Sequence, residues 1–304
     1  MMKFVISFTF ASAIFMSAWQ SPKPQQVVQP SAKQLSVNGT TIRYWEEGSG
    51  APVVFVHGAI SDHRYWEPQR EAVAKKYRFI ALDRRYFGNA PWPDDGVHFS
   101  QATQVADLAA FIRELKIGQV FLVGSSGGAG LSLLTAVQYP ELVRGLFVNE
   151  PGLRSILTDP SDQKAISENS ADTRLAAARA SAKAGNMEEA ARLRIDYATG
   201  QTGSFDAAPP TLKAMFVENA RTLLLERGAS PPVPITCAQL GQIKVPVTIT
   251  KGELTRPDSR ILAEAAHRCI PGSQLITVPN ASHGSPWQNT SAFNEALLRF
   301  LART

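Results

Sequence analysis

The chain has 304 residues, of which 44% are hydrophobic and 19% charged, so it is long enough for one large domain with a sizeable core. The formal net charge is +5, but the lysines and arginines are scattered, and their densest clusters are pairs such as Lys75-Lys76. No basic stripe could follow a phosphate backbone, and we therefore expect no nucleic-acid partner.

The first residues have the pattern of a secretory signal peptide. Lys3 precedes an apolar run from Phe4 to about Ala18, and a stretch rich in proline and glutamine follows. The run is short for a membrane span, and no cysteine follows that could carry a lipid. We predict a signal peptide over residues 1–20, a linker over 21–32, and a periplasmic or secreted protein without a stable membrane anchor after cleavage.

Beyond residue 30, strand patterns alternate with helical patterns. An Asn38-Gly39 hairpin signal comes first. Continuous apolar runs typical of buried strands follow at 52–58, 77–83, 120–124, 145–149, 246–250 and 273–279. Helical periodicity appears at 101–115, 127–139, 258–269 and 290–302. The alternation predicts an α/β fold, a mostly parallel twisted sheet with helices on both faces.

One long interval breaks this alternation. Residues 153–240 show no convincing strand and contain alanine-rich helical sequence interrupted by glycine and proline. We predict an inserted helical lid over 153–240 and a core formed by 33–152 and 241–304. Five apolar residues near the predicted lid and last loop either line a substrate pocket or form the lid's own core: Phe205, Met215, Phe216, Leu223 and Trp287.

A glycine-rich turn between a predicted strand and a predicted helix carries the strongest chemical signal. Residues 124–128 read Gly-Ser-Ser-Gly-Gly and fit the pattern G-x-S-x-G with Ser126 at its centre. In a strand–turn–helix context this serine sits on a strained turn, where flanking side chains would clash with the backbone. We predict that Ser126 is a nucleophile and that Ser125 is a packing residue.

A serine nucleophile needs a base, and one of the five histidines is placed to serve. His283 follows the last predicted strand and precedes the C-terminal helix, so its loop reaches the carboxyl edge of the sheet, where the turn around Ser126 also lies. His57 ends a strand but reads as part of a turn. We predict that His283 is the base.

These segments together resemble the α/β-hydrolase superfamily over nearly the whole predicted mature chain. The resemblance lies in FVHGAISDHRYWEPQ, FIALDRRYFG, LVGSSGG, YPELVRGLFVNEP and VPNASHGSPWQNTSAFNEALLRFL. It implies the hydrolase fold, a catalytic triad, a lid, and an oxyanion hole formed by the backbone N–H groups of Ala59 and Gly127. It implies no metal and no organic cofactor.

The acid of the triad departs from the usual pattern. Many superfamily members place an aspartate after the strand at 246–250, in a run like G-x-x-D, but here that run is GELT and ends at Thr255. Three carboxylates remain as alternatives: Glu150, Glu253 and Asp258. We favour Glu150, because it ends an apolar strand beside the nucleophile's strand, a position used by one branch of the superfamily.

The leading functional prediction is hydrolysis of a small apolar carboxylic ester or lactone. A serine at the turn argues against dehalogenase and epoxide hydrolase chemistry, for which this superfamily uses aspartate. Peptidase, carbon–carbon hydrolase and perhydrolase activities stay open as alternatives, as does a catalytically dead ligand-binding protein, for which Thr255 is the only argument.

The two cysteines are Cys237 and Cys269. Cys237 precedes a predicted strand and Cys269 ends the helix that follows it, so both should lie at the non-catalytic edge of the sheet. A disulfide is therefore feasible in an oxidising compartment, and the spacing disfavours a metal site.

Overall fold

The computed structural model describes residues 1–2, 31–168, 172–226 and 232–303. Most of the predicted signal peptide and most of the predicted linker lie within 3–30, outside the described residues. Within the described ranges, no helix has the length and apolar character that a membrane crossing needs.

Eight strands of the described chain form one sheet. They are β1 (Lys33–Val37), β2 (Thr40–Glu47), β3 (Pro52–Val56), β4 (Arg78–Leu82), β5 (Val120–Ser125), β6 (Val143–Asn149), β7 (Val247–Gly252) and β8 (Gln274–Val278). Their spatial order is β1-β2-β4-β3-β5-β6-β7-β8. The hairpin β1–β2 and the pair β2–β4 are antiparallel, and all other pairs are parallel.

The helices lie between the strands and in one long insertion. They are α1 (Glu67–Ala74), α2 (Gln101–Glu114), α3 (Gly127–Gln138), α4 (Pro160–Glu168), α5 (Arg174–Lys183), α6 (Met187–Thr199), α7 (Ser204–Ala207), α8 (Pro210–Asn219), α9 (Cys237–Leu240), α10 (Pro257–Cys269), α11 (Ser285–Gln288) and α12 (Thr290–Ala302). The predicted α/β-hydrolase architecture is confirmed, and the strands and core helices agree with their predicted ranges to within a few residues.

The strand order reverses between β3 and β5. From β3 the chain proceeds outward to β4, whereas β5 and its successors lie on the other side, with Val56 paired to Gly124. Loops at the carboxyl ends of strands diverge at such a reversal and leave a crevice, which is where open α/β sheets place their ligands. The loop after β3 and the turn after β5 therefore border one crevice.

Both faces of the sheet are buried, as the continuous apolar strands require. Val54 and Val56 face one apolar cluster that includes Phe111 of α2, and Val53 and Phe55 face another that includes Phe293 of α12. Because the strands are fixed from both sides, the loops at their carboxyl ends stand on a rigid base.

Helices α4 to α9 follow β6 and precede β7, and we call residues 153–240 the helical insertion. The insertion is fastened to the loop after β3 by Asn219, whose Nδ2 donates to Asp62 at 2.8 Å, and by Glu218, which pairs with Arg64 at 2.6 Å. Gly185, with φ 82°, lies in the short connection between α5 and α6 within the alanine-rich stretch. A lid function for the insertion stays a prediction.

The disulfide that the sequence allows is present. Cys237 at the start of α9 is bonded to Cys269 at the end of α10, with the two Cα atoms 4.9 Å apart. The bond ties the end of the helical insertion to the helix that follows β7. It closes a loop with a sequence separation of 32 residues.

Candidate active site

Ser126 occupies the turn between β5 and α3 in a conformation that is rare for a residue with a side chain. Its backbone has φ 55° and ψ −117°, and its N–H donates to the carbonyl of Asn149 at 2.9 Å. Strain of this kind persists only where surrounding structure enforces it. The turn holds the Ser126 hydroxyl at the carboxyl edge of the sheet, beside the first N–H groups of α3.

The glycines around Ser126 have different reasons for being there. A Cβ on Gly128 would lie 2.1 Å from the carbonyl oxygen of Val56, and one on Gly124 would lie 2.6 Å from the carbonyl oxygen of Gly128. These two glycines let α3 pack closely against β3 and β5. A Cβ on Gly127 would meet no atom within 4 Å, so that position is not required by packing.

His283 and Glu150 meet at the same edge. His283 Nδ1 donates to Glu150 Oε2 at 2.6 Å, and the Glu150 side chain is fully buried. The carboxylate also accepts from the backbone N–H of Gly252 at 2.8 Å and from the Thr255 hydroxyl at 2.8 Å. Because Nδ1 carries the proton of this hydrogen bond, Nε2 of the neutral imidazole is free to accept a proton.

Glu150 itself has a positive φ of 45°, directly after the last residue of β6. Its N–H still donates to the carbonyl of Thr250 at 3.0 Å, which continues the pairing of β6 with β7 for one residue. The unusual backbone turns the carboxylate toward β7 and the loop of His283. Backbone strain at this residue is the kind that clusters at functional sites.

The two proposed oxyanion donors come from two different loops near the nucleophile. Gly127 is the first residue of α3, and Ala59 lines the same cavity as Ser126. The Gly58 carbonyl next to Ala59 accepts from His57 Nδ1 at 3.0 Å and from the guanidinium of Arg84. These contacts fix the orientation of the Gly58–Ala59 peptide, whose N–H must be aimed before a charge develops.

His57 is a structural residue of this loop. Its ring is fully buried, and its Nε2 accepts from the backbone N–H of Arg84 at 3.1 Å. Burial, together with the positive charge of Arg84, holds the pKa of His57 well below its ordinary value near 6.5. The imidazole is therefore neutral and serves as a clamp between the loops after β3 and β4.

A cavity with two lobes surrounds Ser126 and His283, and both residues line both lobes. The narrow lobe, about 40 Å³, is bordered by Ala59, Phe216 and Trp287. The wide lobe, about 230 Å³, extends past Glu150 under the helical insertion. The other three apolar residues named from the sequence line neither lobe and are buried in the apolar cluster that the insertion shares with Val53 and Phe55 of the sheet: Phe205, Met215 and Leu223.

A model of the alpha/beta hydrolase family matches residues 53–296. The chain belongs to this family. Among curated proteins it resembles the 2-(acetamidomethylene)succinate hydrolase of Mesorhizobium japonicum, with 26% identity over 257 residues that cover 83% of this chain and 88% of the relative. It also resembles the 2-hydroxy-6-oxo-2,4-heptadienoate hydrolase of Pseudomonas putida, with 32% identity over 134 residues that cover 43% of this chain and 48% of the relative.

Solved structures give the same fold. A thermophilic esterase from Thermogutta terrifontis superimposes with a TM-score of 0.70 at 21% identity, covering 90% of this chain and 98% of that one. The enol-lactonase from Burkholderia xenovorans LB400 superimposes with a TM-score of 0.72 at 19% identity, covering 89% and 100%. The fold is thus shared with hydrolases of several kinds.

In this α/β hydrolase, the three alternative acids have separate environments. Glu150 contacts His283, as described above. Glu253 is exposed and accepts from the backbone N–H of Asn280 at 2.9 Å, and Asp258 is paired with Arg256 at 3.0 Å. The structure thus brings together the pair that the sequence analysis favoured.

Asn149 is a polar residue of the candidate site that the sequence analysis missed. Its Nδ2 donates to the carbonyl of His283 at 3.1 Å and to Ser125 Oγ at 3.2 Å. Its Oδ1 accepts from Thr250 at 3.0 Å and from Ser285 at 2.7 Å. Asn149 therefore joins the serine turn, the histidine loop and β7, and its signal was a polar residue ending an otherwise apolar strand.

A further cluster of metal-type ligands lies away from the cavity. Ligand atoms of Asp62, His63 and Asp83 lie within 4.8 Å of one another. Arg64 pairs with Asp62 at 2.6 Å, and Arg43 pairs with Asp83 at 3.1 Å. Since arginines already neutralise both carboxylates, we interpret this cluster as a structural ion-pair network.

Proposed function

We propose that the protein is a serine hydrolase that cleaves a carboxylic ester or lactone through Ser126, His283 and Glu150. The observation that carries the proposal is the 2.6 Å contact between His283 Nδ1 and the buried Glu150 carboxylate, in a cavity that Ser126 also lines. A serine on a strained turn, a base and an orienting acid are the three parts that acyl transfer needs.

In the proposed acylation step, Ser126 Oγ attacks the carbonyl carbon while His283 Nε2 takes its proton. Glu150 keeps the imidazole in the tautomer that leaves Nε2 free, and it stabilises the imidazolium that forms. The N–H groups of Ala59 and Gly127 receive the oxyanion. Each such donor contributes about 3 kcal/mol of transition-state stabilisation.

Collapse of the tetrahedral intermediate breaks the bond to the leaving oxygen, which takes the proton from His283. With an ester the alcohol departs, whereas with a lactone it stays attached to the acyl group. Water then gives its proton to His283 and attacks the acyl-enzyme, and the second collapse returns Ser126 and releases the acid.

Carbon–carbon bond hydrolysis is the second candidate. The observation that favours it is the resemblance to the 2-hydroxy-6-oxo-2,4-heptadienoate hydrolase, which is 32% identical over the matched residues. Assays on an ester, a lactone and a vinylogous 1,5-diketone acid would separate the candidates, because only the last requires a carbon leaving group.

The proposal is tested by labelling with a fluorophosphonate and by initial rates on p-nitrophenyl esters of graded acyl length. We expect wild type to be labelled and active, and Ser126→Ala to lose both properties. Labelling of Ser126→Ala at the wild-type rate would place the nucleophile elsewhere. A wild type that is neither labelled nor active would favour the ligand-binding alternative.

We also propose that the protein acts outside the cytoplasm. The support is the Cys237–Cys269 disulfide together with the signal-like sequence over residues 1–20, since structural disulfides persist mainly in oxidising compartments. Fractionation of a bacterial host that expresses the full chain tests this, with the processed protein expected outside the cytoplasm and unprocessed cytoplasmic protein contradicting it.

A further inference from the structure

An arginine of the helical insertion lies beside the proposed nucleophile and has no ion pair with any residue that the structure describes. Arg194 on α6 lines both lobes of the cavity, together with Ser126 and His283. Its Nε is enclosed and has no hydrogen-bond partner within the described part of the chain. The guanidinium carbon of Arg194 lies 5.8 Å from the centre of the Tyr197 ring.

This placement is costly for a cation. Burial disfavours the charged form and lowers the pKa of Arg194. The negative charge of Glu226 opposes this shift in part, and the positive charges of Arg179 and Arg256 add to it. The nearby carboxylate of Glu226 is already bound by Arg179 at 2.8 Å. The Arg194 side chain is half-buried and its Nε is enclosed. An enclosed charge is normally paired, so this arginine is suited to receive an anion from a ligand.

The other arginines of the wide lobe already have counter-ions. Arg256 contacts Asp258 at 3.0 Å and Asp172 at 3.5 Å, and the exposed Arg154 lies 3.7 Å from Asp258. Of the arginines described in the lining of the wide lobe, Arg194 is therefore the one that forms no ion pair with a carboxylate. A guanidinium without a direct carboxylate contact can accept one negative charge from a ligand.

We propose that the substrate carries a carboxylate in addition to its scissile ester or lactone, and that Arg194 binds this carboxylate. The proposal rests on the proposed hydrolase function and names the substrate class. A planar guanidinium binds a carboxylate through two parallel hydrogen bonds, which would fix the distance between the charged end and the carbonyl attacked by Ser126. A phosphate dianion fits less well, because Asp258 and Glu150 also line the wide lobe.

The two lobes differ in the room that they offer beside Ser126. With about 40 Å³ on one side of Ser126 and about 230 Å³ on the other, the site suits a short monoester of a dicarboxylic acid or a small carboxylated lactone. Uncharged esters of the same length would leave Arg194 without a counter-ion, so we expect them to react more slowly.

The test compares two esters of equal length, monomethyl glutarate as the anion and methyl pentanoate as the neutral analogue. Hydrolysis is followed by proton NMR for wild type, Arg194→Gln and Arg194→Lys. Arg192→Gln is the matched control, because Arg192 is on the same helix and pairs with Glu189 at 3.4 Å and with Asp206, away from the cavity. Circular dichroism checks that each variant is folded.

We expect wild type to favour the anionic ester in kcat/KM, and Arg194→Gln to reduce the ratio of the two kcat/KM values about 10- to 100-fold, the range for a hydrogen bond to a charged group. Arg194→Lys should retain part of the preference, and Arg192→Gln all of it. An unchanged ratio in Arg194→Gln, or a wild type without preference for the anion, would overturn the proposal.

Binding separates this inference from the proposed function. Calorimetry of Ser126→Ala with monomethyl glutarate measures recognition without turnover, and the same titration is repeated with Arg194→Gln added. Binding that Arg194→Gln weakens supports the inference even if wild type hydrolyses neither ester, in which case only the proposed function fails. Equal binding by both variants, or none by either, overturns the inference.

Discussion

Replacement of Glu150 by glutamine is the sharpest test of the proposed triad. The carboxylate accepts three hydrogen bonds: His283 Nδ1 and the Thr255 hydroxyl reach Oε2, and the Gly252 N–H reaches Oε1. Glutamine has nearly the same shape but one acceptor and one donor end. Its NH₂ group must therefore replace one of the two carboxylate oxygens, each of which accepts at least one hydrogen bond in the wild type.

The two orientations of the amide differ in what they disturb. If the NH₂ group faces Gly252, it opposes a backbone N–H that cannot rotate. If it faces His283 and Thr255, the hydroxyl can turn to accept and the imidazole can move its proton from Nδ1 to Nε2. The second orientation costs less, so we expect the glutamine to favour the tautomer in which Nε2 cannot take the serine proton.

The expected loss in kcat is about 10³- to 10⁴-fold, or roughly 4–5.5 kcal/mol of transition-state stabilisation. The free energy of unfolding should fall by only about 1–3 kcal/mol, since one buried donor loses its acceptor. The rate is measured on whichever p-nitrophenyl ester wild type cleaves best, and stability is measured by urea unfolding. Glu253→Gln and Asp258→Asn are the matched controls and should keep at least a tenth of the wild-type kcat.

A folded Glu150→Gln that retains more than a tenth of the wild-type kcat would refute the reasoning, because neither the wrong tautomer nor the lost charge allows it. Loss of activity in Asp258→Asn with retention in Glu150→Gln would instead transfer the role to Asp258. Loss in all three variants at equal stability would mean that the assay reports the charge of the cavity rather than one acid.

Three further predictions concern the fold that holds the site. Gly128→Ala should destabilise the protein by at least about 2 kcal/mol, because the added Cβ would lie 2.1 Å from a backbone oxygen. Gly127→Ala should change the melting temperature little. A thermal melt in which Gly127→Ala lowers the melting temperature more than Gly128→Ala does would contradict the packing argument. Replacing both Cys237 and Cys269 by serine should lower the free energy of unfolding by about 3–4 kcal/mol from loop entropy alone, and an unchanged urea midpoint would exclude this contribution. Below about pH 6.5 the unfolded chain binds a proton at His57, whereas the folded chain, in which the pKa of His57 is lowered, does not. The free energy of unfolding should therefore fall by up to about 1.4 kcal/mol for each pH unit by which the pH is lowered. A folded His57→Gln variant with the same dependence of stability on pH would refute this linkage.

The sequence was sufficient to predict most strands and core helices in their order along the chain, because continuous apolar runs such as 52–58 and 120–124, alternating with helical segments, are typical of parallel strands buried on both faces. The same holds for the position of Ser126, since the glycines at 124 and 128 indicate close packing of helix against strand. The structure explains the two glycines by clashes with backbone atoms. Local patterns were enough here because local sterics decide these features.

Arg194 and Asn149 could not be predicted in the same way. Arg194 belongs to an amphipathic helix of the insertion, where an arginine looks like any other polar residue, and only the packing of α6 over the cavity distinguishes it. Asn149 has four hydrogen-bond partners from three separate parts of the chain. Features that depend on contacts between distant segments leave little trace in the sequence around either residue.

The environment of Thr255 explains how an aspartate can be missing from its usual place while a carboxylate still contacts the imidazole of His283. The ends of β6 and β7 are adjacent in the sheet, with Asn149 paired to Thr250, so a carboxylate at the end of either strand can reach the same imidazole. Here the carboxylate extends from β6, and Thr255 donates a hydrogen bond to it from the loop after β7. The imidazole needs an oxygen at one point in space, and the fold allows either strand to supply it. A threonine in the acid position is therefore weak evidence for a dead hydrolase when a buried glutamate ends the neighbouring strand.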